Sequence, residues 1–184
     1  MIFKSHAVSV RSPAAANFLL ASFVLLWLIH PFLSWGVGCN ECLARGEWWR
    51  IATSLFIHYE FEHLLANSFT LFLLGLYIEE LLGKRKFLFL FLLTGIAGNI
   101  ATYLLLPAHF VHTGASGALF GLLGAQLYIF YVKQQADAKQ KQLFLFISLL
   151  LMVSGTFLDQ HSNVISHLGG LLAGGILAPL LYKE

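Results

Sequence analysis

Long uncharged stretches, separated by short charged segments, are the dominant pattern of the chain. No Asp, Glu, Lys or Arg occurs in residues 12–40, 63–78, 87–132, 142–158 or 160–182. A helix that spans a bilayer needs about 20 apolar residues, and the stretch 87–132 is long enough for two helices with a turn at Pro107. The pattern therefore predicts six membrane-spanning helices, at residues 14–35, 63–82, 87–106, 115–132, 143–158 and 165–182. They are expected to be helical because lipid cannot satisfy an open backbone.

Composition agrees with a membrane protein rather than a soluble one. Hydrophobic residues make up 58% of the 184 residues and charged residues 11%, against roughly 45–50% and about 25% in ordinary soluble domains. Six spans use about 120 residues, which leaves little for a further domain. We therefore expect an all-α protein, with a cytoplasmic segment at 1–13 and one six-helix transmembrane domain at 14–184.

The distribution of Lys and Arg predicts the orientation of the spans. An even number of spans places both termini on one side of the membrane, and nine cations then share that side: Lys4, Arg11, Lys84, Arg85, Lys86, Lys133, Lys139, Lys141 and Lys183. Only Arg45 and Arg50 lie on the other side. By the positive-inside rule both termini are cytoplasmic, and residues 36–62 form an outer loop rich enough in apolar residues to lie at the interface.

Other features narrow the choice of partners and cofactors. A net charge of +2, spread along the chain, gives no reason to expect a nucleic-acid partner. Cys39 and Cys42 are too few for a tetrahedral zinc site, and a local disulfide and two free thiols both stay open. The first apolar stretch is long enough to remain as an anchor, so no cleavage of a leader is expected. We predict no metal and no cofactor.

Four polar side chains interrupt the apolar spans near one predicted depth. His63 and Asn67 lie four residues apart on one face of the second span, and Ser116 and His167 lie at the start of the fourth and sixth. These three spans all run inward from the outer surface, so the four residues share a level just below it. Polar groups in lipid are costly unless they face the protein interior, which makes these four candidate functional residues. Other polar span residues, among them His30, Asn99 and Gln126, are interpreted as packing or interface groups.

Glycine spacing indicates which helices approach one another. Gly117 and Gly121 on the fourth span, and Gly170 and Gly174 on the sixth, form small-xxx-small faces that let two backbones come close. If these faces meet, the serine hydroxyl and the imidazole lie within hydrogen-bond reach, as a base-activated nucleophile requires. Asp159 in the preceding outer loop is a weaker candidate for a third member, so we expect a dyad.

The remaining requirement of acyl transfer is a set of donors for the oxyanion. His63, Asn67 and the free N–H groups at the start of the fourth span can supply it. A single serine or histidine in such a helix is more often a packing residue. The joint occurrence of all four polar groups at one depth favours catalysis.

Two classes of membrane protease with different catalytic groups, and a transporter, fit the sequence less well than a serine–histidine site for acyl transfer. The segment from His58 to His63 has neither the His-Glu-x-x-His spacing of zinc proteases nor its inverse. Asp137 and Asp159 fall in loops on opposite sides, whereas an aspartyl intramembrane protease needs two aspartates within spans. A transporter stays open as an alternative, but the polar residues stop near the outer surface and trace no path across the membrane.

At these residues the sequence resembles the rhomboid intramembrane serine proteases, over about residues 46–182. The resemblance rests on motifs in the family's order: Trp49-Arg50 of the first outer loop, His63-x-x-x-Asn67, Gly114-Ala115-Ser116-Gly117, and His167 followed by Gly170 and Gly174. Glu79, Gly83 and the loop residue His58 also match positions of the family. Phe120 stands where many members have a tyrosine against the catalytic imidazole, so a stacking partner remains but a hydroxyl is lost.

The resemblance implies a six-helix rhomboid-like protease of a bacterial cell membrane. Ser116 would be the nucleophile, His167 the general base, and His63 and Asn67 the oxyanion donors, with the active site near the outer face. The partners would be the lipid bilayer and transmembrane protein substrates, cleaved at helix-weakening residues near their outer ends and admitted past the fifth span. A catalytically impaired relative that only binds membrane clients is the alternative.

Overall fold

The computed structural model describes residues 13–133, 138–158 and 162–182. In chain order the elements are α1 (Ala14–Leu28), β1 (Gly38–Cys39), α2 (Asn40–Ala44), α3 (Arg50–Thr53), α4 (Phe61–Leu82), α5 (Lys84–Leu105), β2 (Val111–His112), α6 (Ser116–Lys133), α7 (Ala138–Leu158) and α8 (Val164–Leu181). Short 3-10 turns occur at His30–Phe32, Ser34–Gly36 and Ser54–Phe56. Each of the six long helices overlaps one predicted span.

Three of these helices, α4, α5 and α8, are long and apolar enough to cross a membrane by length and composition. Shorter apolar helical stretches occupy Ala14–Leu28, Ser116–Val132 and Phe146–Thr156. Large apolar side chains are exposed on the outside of the bundle, among them Phe18, Leu25, Phe89, Leu104, Leu172 and Ile176. Such a surface suits a lipid environment rather than water.

The helix ends differ from the predicted span ends for identifiable reasons. The first span was predicted to reach residue 35, but α1 ends at Leu28. Pro31 lacks an N–H and disfavours helix at the residue before it, so the chain continues in 3-10 turns. Three helices begin at least two residues earlier than predicted: α4 at residue 61 rather than 63, α5 at 84 rather than 87, and α7 at 138 rather than 143. Backbone hydrogen bonding continues into flanking polar residues that an apolar pattern leaves out.

The core of the bundle is built around α6. Residues 121–126 of this helix are all buried, so it has no face directed outward there. Phe23 of α1 and Phe87 and Phe91 of α5 are among the largest fully buried side chains around it. A helix surrounded in this way is fixed by its neighbours on every side, which gives its first residue, Ser116, a defined position.

Helices α6 and α8 are in backbone contact along their glycine faces, as the spacing predicted. A β-carbon on Gly170 would overlap the carbonyl oxygen of Gly117, and one on Gly174 would overlap that of Gly121. A β-carbon on Gly124 would overlap the carbonyl oxygen of Leu171. Any side chain at these positions would force the two helices apart.

Outside the helices, the chain between α1 and α4 is held at two points. β1 pairs antiparallel with β2, with Gly38 opposite His112 and Cys39 opposite Val111. Cys39 and Cys42 are joined by a disulfide, which resolves the choice that the sequence left open. The pairing links the outer loop to the segment that leads into α6.

A buried carboxylate caps the N-terminus of α1. Pro13 precedes the helix and provides no side-chain cap. Instead Glu79 of α4 accepts hydrogen bonds from the N–H groups of Ala15 and Ala16, at 3.0 and 2.9 Å. An acceptor with negative charge at a helix N-terminus satisfies free N–H groups and interacts favourably with the helix dipole. Gly83, at φ +78°, then allows α4 and α5 to be joined through a single residue.

Replacing Glu79 with Ala should destabilise the protein by roughly 2 kcal/mol or more, because two buried N–H groups lose their acceptor. Glu80 is exposed on the same helix and provides a matched control in Glu80→Ala. Thermal unfolding in detergent measures both variants. Equal midpoints for the two would show that the contact to α1 contributes nothing.

Candidate active site

The serine and the histidine predicted as a dyad are in contact. Ser116 Oγ lies 2.9 Å from His167 Nε2. Ser116 is the first residue of α6, and His167 lies in the first turn of α8, where Asn163 caps the helix by accepting from the N–H of Ser166 at 3.0 Å. His167 is only 6% exposed. The pair has the geometry of a hydroxyl that can pass its proton to an imidazole.

Phe120 lies one helical turn after Ser116 and stacks on the imidazole. The ring centroids of Phe120 and His167 are 4.2 Å apart, and the planes differ by 15°. The stacking partner predicted for this position is therefore present. It restricts the plane of the imidazole and covers one of its faces.

His63 and Asn67 lie near the pair, on α4. Both line a cavity of about 690 Å³ that also includes Ser116, Phe120 and His167 among its lining residues. The side-chain amide of Asn67 donates to the carbonyl oxygen of His63 at 3.0 Å, through one of its two N–H groups. The structure thus brings the four sequence-predicted polar residues to one cavity.

Gly114 allows His63 to approach the segment before Ser116. Its φ is +98°, a conformation that L side chains rarely adopt, and a β-carbon there would overlap the His63 ring. Its N–H donates to the carbonyl oxygen of Ser54 at 2.9 Å. Gly114 is therefore required by both backbone conformation and space.

Other sequence-predicted residues support the site from outside this cavity. Arg50 is buried, pairs with Glu47 at 2.6 Å and donates to the carbonyl oxygens of Ser34 and Val37, both at 2.9 Å. Trp49 donates from its indole to the carbonyl oxygen of Trp35 at 3.2 Å. The hydrogen bonds of these two residues hold the outer loop in its conformation. Gly117, Gly170 and Gly174 allow the close approach of α6 and α8.

His58 is fully buried beside the site. Its ring lies 4.8 Å from that of Phe23 and 5.2 Å from that of His63, measured between centroids. Burial, and then the neighbouring His63, lower the pKa of His58 to about 3. His112, which lines the cavity, has its pKa lowered to about 4 by burial. Both imidazoles are therefore neutral at pH 7.

Sequence reasoning missed a polar network behind the pair. Asn99 of α5, interpreted from the sequence as a packing group, donates to the Ile51 carbonyl oxygen at 2.8 Å and to Ser54 Oγ at 3.0 Å. Its side-chain oxygen lies 3.4 Å from Ser166 Oγ. Ser54 also accepts from Gly114, so the network joins the turn before Ser116 to the residue before His167. Several Asn, Ser and Thr residues near the outer ends of the spans were the available signal.

Thr156 of α7 is the second residue that was missed. Its Oγ1 lies 3.1 Å from Nδ1 of His167, on the opposite side of the ring from Ser116. It also lines the cavity. Asp159, the weaker candidate for a third member, falls outside the described residues.

Comparison with known proteins gives consistent matches to one family. Residues 45–184 match the family model described as Rhomboid domain. The chain is 36% identical, over 95% of its length, to a Bacillus subtilis protein named "Putative rhomboid protease YdcA", of which the match covers 92%. It is 31% identical over 83% of its length to rhomboid protease GluP of the same organism, and 32% identical over 74% of its length to Rhomboid-like protein 11, chloroplastic, of Arabidopsis thaliana. The matches cover only 30% and 53% of these two longer proteins.

The lowered pKa of His58 predicts a specific loss of stability in acid. Below about pH 6.5 the unfolded chain binds a proton at this imidazole, whereas the folded protein does so only near pH 3, so stability falls as the pH falls through this range. At pH 5 the loss from this group is about 2 kcal/mol. His58→Phe should therefore weaken the pH dependence of thermal unfolding between pH 7.5 and 5.

The matched control is His109→Phe, because His109 is exposed in the loop before β2. This variant should keep the wild-type pH dependence. An unchanged pH dependence in His58→Phe would contradict the assignment.

Proposed function

The chain belongs to the rhomboid family, and from this premise we propose that it is an intramembrane serine endopeptidase with Ser116 as nucleophile and His167 as general base. Relatives named rhomboid proteases and the apolar helices make it an integral membrane protein of a protease family. The observation that carries the proposal is the 2.9 Å contact between Ser116 Oγ and His167 Nε2 in a cavity at the α6–α8 contact.

The proposed reaction is acyl transfer to serine followed by hydrolysis. Ser116 Oγ attacks the scissile carbonyl carbon as Nε2 takes the hydroxyl proton, which forms a tetrahedral intermediate. The C–N bond then breaks, and His167 returns the proton to the leaving amine. Water, deprotonated by the same nitrogen, attacks the acyl-enzyme ester and releases the second product with Ser116 restored.

Three groups are proposed to stabilise the oxyanion. Asn67 uses one amide N–H for the His63 carbonyl and keeps a second for the substrate. The imidazole of His63 lines the same cavity, and the N–H groups at the start of α6 add positive partial charge near Ser116. Donors fixed in position before the reaction are the most effective form of electrostatic stabilisation.

The proposed substrates are transmembrane segments of other proteins. A carbonyl within an intact helix is already hydrogen-bonded, so cleavage requires a segment that unwinds easily near its outer end. We further propose six spans in a bacterial cell membrane, with both termini cytoplasmic and the site near the outer face. The nine-to-two distribution of cations supports the orientation, and the similarity to a Bacillus subtilis protein supports a bacterial membrane.

The purified protein should react with a serine-directed fluorophosphonate and cleave a reporter transmembrane substrate. Both signals should disappear in Ser116→Ala and in His167→Ala, because each removes one partner of the dyad. Ser68→Ala and His109→Ala provide matched controls outside the cavity lining. Undiminished cleavage by Ser116→Ala would refute the mechanism, and capture of membrane proteins without cleavage by the wild type would favour the binding-only alternative.

Replacing His63 or Asn67 with Ala should lower kcat by roughly 10²-fold or more, as expected for loss of an oxyanion donor. The steady-state rate on the same reporter substrate measures this. A decrease of less than about twofold would assign these two residues to packing.

A further inference from the structure

The hydroxyl of Thr156 faces the nitrogen of His167 that does not contact Ser116. Thr156 Oγ1 lies 3.1 Å from Nδ1, and the same oxygen lies 2.9 Å from the carbonyl oxygen of Met152. Thr156 is half-buried on α7, eleven residues before His167. We infer that Thr156 is a positioning residue that fixes His167 in the tautomer with the proton on Nδ1, an inference that rests on the proposed function.

Thr156 Oγ1 has one proton for its two short contacts. A threonine hydroxyl has a single proton to donate, and the Met152 carbonyl oxygen can only accept. With that proton directed to Met152, Oγ1 presents a lone pair to His167. Both short contacts are then favourable only if Nδ1 carries a proton and donates it to Oγ1. The opposite tautomer would leave one of the two contacts between a pair of acceptors.

This tautomer is the one that general-base catalysis requires. When Nδ1 of a neutral imidazole carries the proton, Nε2 has the free lone pair. Nε2 is the nitrogen 2.9 Å from Ser116 Oγ, so the serine can donate its proton there. The other tautomer would place an N–H against the serine, where it cannot accept a proton.

Thr156 also restricts a motion that Phe120 leaves open. Stacking fixes the plane of the imidazole but permits the ring to shift along that plane. Contacts at Nδ1 and Nε2, on opposite sides of the ring, remove that freedom. The hydroxyl therefore acts through His167, and this role does not require contact with the substrate.

The first test compares Thr156→Val, which keeps the shape and removes the hydroxyl, with Thr156→Ser, which keeps the hydroxyl. We expect kcat to fall about tenfold in the valine variant with KM within about twofold of wild type, because a hydrogen bond to the base is lost rather than substrate binding. The serine variant should restore kcat to within about twofold. Wild-type kcat in the valine variant would overturn the inference.

The matched control is Ser22→Ala. Ser22 of α1 is half-buried, and its hydroxyl also donates to the carbonyl oxygen four residues earlier, at 2.9 Å. It lies outside the residues that line the cavity. This variant should keep the wild-type kcat, so a loss of activity in Thr156→Val would not reflect the removal of any helical hydroxyl.

A second test measures the tautomer without using activity. The wild-type protein, labelled with ¹⁵N-histidine, should show His167 protonated at Nδ1 and not at Nε2, with the signal assigned by its loss in His167→Gln. The valine variant should shift His167 toward the other tautomer. A proton on Nε2 in the wild type would overturn the inference, whether or not any variant folds.

The two tests separate this inference from the proposed function. If the wild-type protein fails to cleave, the protease assignment fails while the ¹⁵N spectrum still decides the tautomer. If it cleaves but the spectrum shows Nε2–H, only the role of Thr156 is lost.

Discussion

At Gly170 and Gly174 of α8 there is no space for a side chain, because a β-carbon at either position would overlap a carbonyl oxygen of α6. The distance between the two helices fixes the positions of the residues at the outer end of this contact. Ser116 begins one of the helices and His167 lies in the first turn of the other, so the separation of the backbones sets the 2.9 Å contact between their side chains. In a membrane, where apolar surfaces have little preference for one another over lipid, close backbone packing is the main source of such precision.

Buried polar groups then hold α1 and the outer loop, which lie outside the glycine contact between α6 and α8. Glu79 accepts hydrogen bonds from the first N–H groups of α1, and Arg50 donates to carbonyl oxygens of the outer loop. Asn99 forms hydrogen bonds to that loop and to α8. Each donor in these contacts has an acceptor, as a low-dielectric interior demands. The site is thus positioned by few contacts, each made between segments that are far apart in sequence.

The apolar pattern and the glycine spacing were enough to predict the six long helices and the meeting of α6 with α8. They could not predict the end of α1, where Pro31 stops the helix inside an uncharged stretch. Asn99 was assigned to packing because a sequence shows depth along a helix but not what lies across from it. Thr156 was missed for a related reason: a threonine in a helix commonly bonds its own backbone, and nothing local distinguishes one that also faces a histidine.

The placement of the histidine on α8 also bears on how the protein is made. Ser116 and His167 are 51 residues apart in the chain, and the helix that carries the histidine is the last one described. A ribosome therefore completes α6 before it adds the imidazole of His167. During that interval the nascent chain holds Ser116 without its imidazole partner, so the pair forms only once α8 has been made and has packed against α6.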